Sequence, residues 1–190
     1  MYKHYSIIPI PLFCLTLVII FSLIPISCKL FSSPPYHYDN PEFSFDYPSD
    51  WQTMEELWGV QQLDENYYGL GMQEIVMITS VQKKGEFGAY FTVATKALPE
   101  GESLEEVFRA TYGQIEGEMR NVSKTAATVS EMPALVMSYE RPWGEPWWQF
   151  RDLWLEKDKT IYVLSFHCLG TAEKYQEELE LIVNSFRLKN

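Results

Sequence analysis

Trp147-Trp148-Gln149-Phe150-Arg151-Asp152-Leu153-Trp154-Leu155-Glu156 and Thr160-Ile161-Tyr162-Val163-Leu164-Ser165-Phe166-His167-Cys168, separated by Lys157-Asp158-Lys159, form the stretch on which the fold turns. Both runs are rich in aromatic and branched residues, and the charged break between them marks two antiparallel strands joined by a tight turn. In the second run Tyr162, Leu164, Phe166 and Cys168 share one face and are the core candidates, while Ile161, Val163, Ser165 and His167 turn the other way. Upstream, a Thr- and Val-containing run from Asn121 to Ser130, a turn at Glu131-Met132-Pro133 and a strand from Ala134 to Glu140 extend the same antiparallel meander.

Outward from this meander the pattern alternates between strand and helix. Glu74 to Gln82 and Phe87 to Lys96 flank Lys83-Lys84-Gly85-Glu86, where Gly85 supplies the positive φ of a hairpin connection. Ser103 followed by Glu106 has capping-box spacing, and Leu104, Val107, Phe108, Thr111, Tyr112, Ile115 and Met119 then fall on one helical stripe. This helix is expected to pack on the sheet. Gly170-Thr171 breaks the last strand and is placed to cap a final helix whose apolar stripe is Tyr175, Leu179, Ile182 and Phe186. Strands, helix, strands, helix is an α+β order with a central antiparallel sheet flanked by helices, since a parallel doubly wound sheet needs one helix per strand.

The N-terminus belongs to a different physical class. No charged residue occurs from Ile7 to Ile26, and Lys3 stands in front, so this is a membrane-targeting segment. Its length suffices to span a bilayer, although Pro9, Pro11 and Pro25 each remove a helical donor. Leu23-Ile24-Pro25-Ile26-Ser27-Cys28 resembles the lipobox of bacterial lipoproteins, which implies lipidation at Cys28 after removal of residues 1–27, with Pro25 departing from that pattern. The alternative is an uncleaved transmembrane helix. Either fate tethers the chain to a cell membrane and holds the domain outside the cytoplasm. Lys29 to Pro41, with Ser32-Ser33-Pro34-Pro35, reads as a flexible spacer (28–41) ahead of a domain covering 42–190.

Charge narrows the partners. The 27 residues before Cys28 hold Lys3 and no acid, so the remaining 163 carry 14 Lys and Arg against 26 Asp and Glu, a net charge of about −12. That excludes nucleic acid as a partner and disfavours an anionic lipid surface. With Cys14 inside the apolar segment and Cys28 at its end, Cys168 stands alone in the domain, and no intramolecular disulfide is available to it.

The ends of the domain carry a family resemblance. Phe43-Ser44-Phe45-Asp46-Tyr47-Pro48-Ser49-Asp50-Trp51, Ile161-Tyr162-Val163-Leu164-Ser165-Phe166 and Asn184-Ser185-Phe186-Arg187-Leu188 resemble the Mog1/PsbP-like family, in a layout running from Asn40 to Lys189. The resemblance implies the fold of photosystem II extrinsic proteins, of a Ran-binding protein and of many bacterial lipoproteins with no assigned role. It brings no motif that matches, residue by residue, the metal or reaction-centre contacts of the photosynthetic members. Phe43, Phe45, Tyr47, Trp51 and Phe186 themselves read as core, and Pro48-Ser49 as turn chemistry.

No catalytic set is legible. There is no Gly-x-Ser-x-Gly elbow, no Cys-x-x-Cys or His-Glu-x-x-His pair, no calcium loop and no phosphate-cradling glycine loop, so catalytic, cofactor and metal residues are all expected to be absent. His37 lies in the spacer, and His167 points away from its neighbour Cys168, which leaves a surface histidine and a core thiol. Glu100, Glu102, Glu105 and Glu106 suit a solvated helix N-terminus. One feature stands above background, the Trp-rich turn of residues 139–148, where Tyr139, Arg141, Trp143, Trp147 and Trp148 form a candidate binding surface unless the rings fold back over the sheet. The expectation is therefore a membrane-tethered extracytoplasmic accessory or assembly protein, non-catalytic, that binds a protein partner. A ligand- or glycan-binding module using the same loop is the alternative, ahead of a photosystem-associated role or an enzyme.

Overall fold

A computed structural model describes residues 33–58, 70–81, 87–142 and 147–189. The Ile7–Ile26 segment, Cys28, the Lys83–Glu86 connection and Trp143 lie outside them. No helix among the described residues is long and apolar enough to cross a membrane.

Two antiparallel sheets organise the chain. The smaller joins β1 (Tyr36–Asp39), β2 (Phe43–Tyr47) and β10 (Arg187–Leu188) in the order β1-β2-β10. The larger has seven strands, β3 (Trp51–Thr53), β4 (Gln73–Val81), β5 (Phe87–Ala97), β6 (Arg120–Val129), β7 (Met132–Pro142), β8 (Trp147–Lys157) and β9 (Thr160–Leu169), ordered β3-β4-β5-β9-β8-β7-β6. After β5 the chain crosses through α2 (Leu104–Ile115), runs the β6–β9 meander back, and docks β9 beside β5. Helix α1 (Met54–Trp58) follows β3, and α3 (Gln176–Ser185) leads into β10. The α+β architecture with helices on an antiparallel sheet is the one the sequence pattern predicts.

Several local expectations shift. Residues 36–39 of the expected spacer are strand, with Tyr38 opposite Phe45 and the His37 ring Nδ1 2.7 Å from the Asp46 carboxylate. Alternating aromatics on β2 created a pairing edge that the spacer fills. The turn expected at Glu131-Met132-Pro133 lies earlier, at Ser130-Glu131, where both residues have positive φ (52° and 64°), and Pro133 sits in β7 opposite Thr128. A proline near a strand start forfeits little, because few ladder bonds depend on its missing N–H. Asp158 and Lys159 (φ 51° and 62°) make the second tight turn where it was expected. Thr171 makes no side-chain cap bond, and a short 3-10 turn, Ala172–Tyr175, precedes α3 instead.

Strand β9 is buried on both faces, so both halves of its alternation are core. Tyr162, Leu164, Phe166 and Cys168 join a cluster with Phe43, Phe45, Trp51, Leu179, Ile182 and Phe186, beneath α3 and the small sheet. Ile161 and Val163 join a second cluster with Phe108, Tyr112, Ile115, Phe150 and Trp154, beneath α2. The capping box of α2 is formed as expected, with the Ser103 hydroxyl accepting from the Glu106 N–H (3.3 Å) and the Glu106 carboxylate accepting from the Ser103 N–H (2.8 Å). Met119 lies past the end of α2, half-buried against the second cluster. At the other end Ser185 explains the Ser-Phe-Arg signature: its Oγ accepts from the Asp46 N–H (2.8 Å), while Phe186 is fully buried and stacks on Phe43.

Beneath α2 lies a buried polar network. Thr92, Ser165 and Asp152 stand in register across β5, β9 and β8. The Asp152 carboxylate accepts from the hydroxyls of Tyr112 (2.5 Å), Ser165 (2.6 Å) and Tyr139 (3.0 Å), and the Trp154 indole N–H donates to the Tyr112 oxygen (3.0 Å). Burial raises the Asp152 carboxyl above the usual range, and the three hydroxyl bonds pull it back down. Tyr112→Phe leaves the Trp154 N–H without an acceptor and Asp152 with one donor fewer, so denaturant melts should show a loss of about 1–3 kcal/mol. Thr92 is different, because its Oγ1 is fully buried with no hydrogen-bond partner among the described residues. Thr92→Val removes a desolvated hydroxyl at equal volume, and the same melts should register a gain of about 1 kcal/mol.

Candidate interaction surface at the Trp-rich hairpin

The strand period sorts the candidate residues before any packing is considered. Adjacent residues on β7 and β8 point to opposite faces, so Trp147 and Trp148 part company, as do Glu140 and Arg141. Trp147 shares its face with Gln149 and Arg151, on the α3 side. Trp148 turns to the α2 side, where its ring contacts those of Tyr90 and His167.

The structure therefore does not bring Tyr139, Arg141, Trp147 and Trp148 into one surface, and Trp143 lies outside the described residues. Tyr139 is buried, its ring stacked on Phe150 and its hydroxyl on Asp152, so its place is in the core and not at an interface. Trp148 is half-buried. Arg141 donates to one oxygen of the Glu118 carboxylate, Oε2, from Nη2 at 2.6 Å and Nε at 2.9 Å, an ion pair that fastens the hairpin to the turn after α2. Trp147 remains outward, 36% exposed, with the Arg120 guanidinium 3.9 Å from its ring centroid. That guanidinium also reaches the Glu140 carboxylate through Nε at 2.6 Å. Trp147 is thus presented as a fixed aromatic plate, held from one side by an arginine that is itself held.

Beside it opens a feature that motif reasoning missed. Ser138, Glu140, Gln149 and Arg151 from β7 and β8, with Asn121 at the start of β6, face Ala172, Glu173 and Gln176 across a cleft of about 310 Å³. The Gln149 side-chain oxygen accepts from the Ala172 N–H (2.7 Å), which ties the sheet to the segment entering α3. Hydrogen bonds from Asn121, Arg120 and Gln149 hold the Glu140 carboxyl below the usual carboxylate range. The sequence signal for the cleft was the polar pair Gln149 and Arg151, two residues apart and so on one face of β8.

The other titratable candidates go elsewhere. His167 is fully buried rather than at the surface, stacked between Tyr90 (4.9 Å) and Phe150 (5.2 Å), and burial lowers its pKa to about 3. On the opposite face of β9, burial raises the Cys168 thiol to about 11, and the cysteine is free. Glu105 and Glu106 occupy the first turn of α2, Glu105 accepting from Lys124 at 3.2 Å. No group of three or more His, Cys, Asp or Glu among the described residues is placed to hold a metal ion.

The architecture defines a class, an α+β protein whose antiparallel sheet carries a helix on one face and a helix with a small sheet on the other. Residues 33–188 match the family of PsbP-like proteins, and the chain belongs to that family. A search of curated proteins yields no match. Among solved structures the chain is similar to LpqN of Mycobacterium tuberculosis, described as involved in cell envelope biogenesis (TM-score 0.55, 12% identity, 83% of this chain and 90% of that one). It is similar also to the cyanobacterial PsbP, CyanoP, of Synechocystis sp. PCC 6803 (TM-score 0.53, 9% identity, 82% and 92%). The Ran-binding protein Mog1p of Saccharomyces cerevisiae is a third (TM-score 0.52, 11% identity, 83% and 96%). At such identities the likeness shows the fold alone.

Burial of His167 has a pH consequence. An unfolded histidine titrates near 6.5, whereas the folded one titrates at about 3, so between those values the unfolded chain binds the extra proton. Stability from this group is intact above about pH 6.5 and falls by about 1.4 kcal/mol per unit as the pH drops through the window. His167→Phe keeps the aromatic stack and removes the titration. Urea unfolding at pH 7 and pH 5 should show the wild type losing about 2 kcal/mol more than the variant.

Proposed function

We propose that this chain is a membrane-tethered, extracytoplasmic accessory or assembly protein that performs no catalysis and binds a protein partner at the outer face of its β7–β8 hairpin. The observation that carries the reading is Trp147, an outward ring against Arg120, two residues along β8 from the cleft-lining Gln149. Large aromatic and arginine side chains held rigid at a surface supply most of the energy of protein interfaces, because little entropy is lost when they are covered. The tether rests on the apolar run Ile7–Ile26 behind Lys3 and on Cys28, the expected lipidation site.

A non-catalytic role is supported by where the bases and acids lie. His167 is sealed in the core, His37 is engaged by Asp46, and Asp152 spends its oxygens on three hydroxyls. An exposed Trp beside amide side chains also suits a sugar ring, which keeps a glycan-binding module as the second reading.

Photo-crosslinking on intact cells separates these. Trp147→Ala should reduce the yield of the crosslinked partner at least tenfold, a loss in keeping with a central aromatic anchor. Undiminished crosslinking to every partner would remove the hairpin from the interface. Quenching of Trp147 fluorescence by oligosaccharides, with no protein captured, would instead favour the glycan module.

A further inference from the structure

Arg151 is the unusual residue of the cleft. The residue is half-buried on the sheet and lines the cleft, and no hydrogen bond or ion pair to it occurs among the described residues. Arg109, Arg120 and Arg141, by contrast, each engage a glutamate. Phe166 and Leu179, both buried, line the same cleft, and an apolar surround strengthens a charge-charge contact relative to open water.

The charges present fix the valence of what would fit. Arg120 is committed to Glu140, which leaves Arg151 against Glu173 on the exposed helix side of the cleft. A single negative charge is matched by the one cleft guanidinium unpaired among the described residues, whereas a phosphate dianion brings a second charge that only Glu140 and Glu173 would face. A polyanion or an anionic lipid surface meets, in addition, a chain of net charge −11. The planar fork of arginine matches a carboxylate with two parallel hydrogen bonds. Resting on the reading of the hairpin as a protein-binding surface, we infer that the cleft is a carboxylate-binding site built on Arg151, which receives an acidic side chain or the terminal carboxylate of the partner while Trp147 covers the adjoining residue.

The test uses the detergent-solubilised full chain labelled with 15N-arginine, in which the side-chain signals of five arginines are resolved and that of Arg151 is assigned by Arg151→Lys. Ac-Ala-Glu-Ala-NH2 should shift the Arg151 signal and bind about tenfold more tightly than Ac-Ala-Gln-Ala-NH2, in keeping with a charge-assisted bond. Ac-Ala-Ala-OH distinguishes a terminal from a side-chain carboxylate as the source. Arg151→Lys should weaken binding of the preferred peptide several-fold, since it keeps the charge and loses the fork, and Arg151→Gln should abolish it. The site is overturned if the glutamine peptide shifts the Arg151 signal as readily as both carboxylate peptides, or if inorganic phosphate does so at lower concentration than either. If carboxylates fail while Trp147→Ala still loses its crosslinked partner, the carboxylate site falls and the partner surface stands. If the shift occurs while Trp147→Ala keeps the partner, the site stands without the hairpin.

Discussion

A carboxylate buried under a helix organises one half of this molecule. Asp152 lies in the middle of the sheet, 2% exposed, and no cation among the described residues pairs with it. Leaving such a group unsatisfied costs several kcal/mol, so the chain has to bring donors to it. It brings three hydroxyls, from β7, β9 and α2, and the α2 donor, Tyr112, in turn accepts from Trp154. Apolar burial alone would let α2 slide or rotate on the sheet. A hydroxyl that must meet one carboxylate oxygen fixes its register, a role polar core groups have in other folds. The capping box and the Arg141–Glu118 pair hold the two ends of the same helical segment.

The other face is fastened by aromatic stacking and one serine. Phe43, Phe45 and Phe186 stack with ring centroids between 5.6 and 6.3 Å, joining β2 to the end of α3. Ser185 closes the corner through the Asp46 N–H. Because both layers cover the middle of the sheet, β9 and the middle of β8 have no solvent face, and the positions left for recognition are at the strand ends. The hairpin end of β7 and β8 is where the α3 layer stops short, and the cleft is the resulting gap.

Much of this was legible in order of residues. The Asp158-Lys159 turn, the Ser103–Glu106 cap, the apolar stripe of α2 and the β2 aromatics each follow from spacing and side-chain chemistry acting over a few residues. Tyr36–Asp39 was not legible as strand, since an edge strand with a solvated face needs little apolar content and owes its existence to the neighbour it pairs with. The candidate site was legible only in part. Its neighbourhood was flagged by tryptophans, yet Tyr139 is a core residue and Arg151, absent from that reading, lines the cleft.

By itself the sequence determined the elements, their α+β order, the acidic character of the chain and the division of each strand into two faces, because all of these depend on local periodicity and composition. Only the tertiary structure decided what covers each face. His167 and Ser165 carry polar groups on a strand face that would ordinarily be read as solvated, and both are sealed because α2 and the rings of Tyr90 and Phe150 come from distant segments to lie over them. Trp147 stays open for the converse reason: on its face the covering layer ends before the hairpin does, and side-chain period cannot tell where a layer ends.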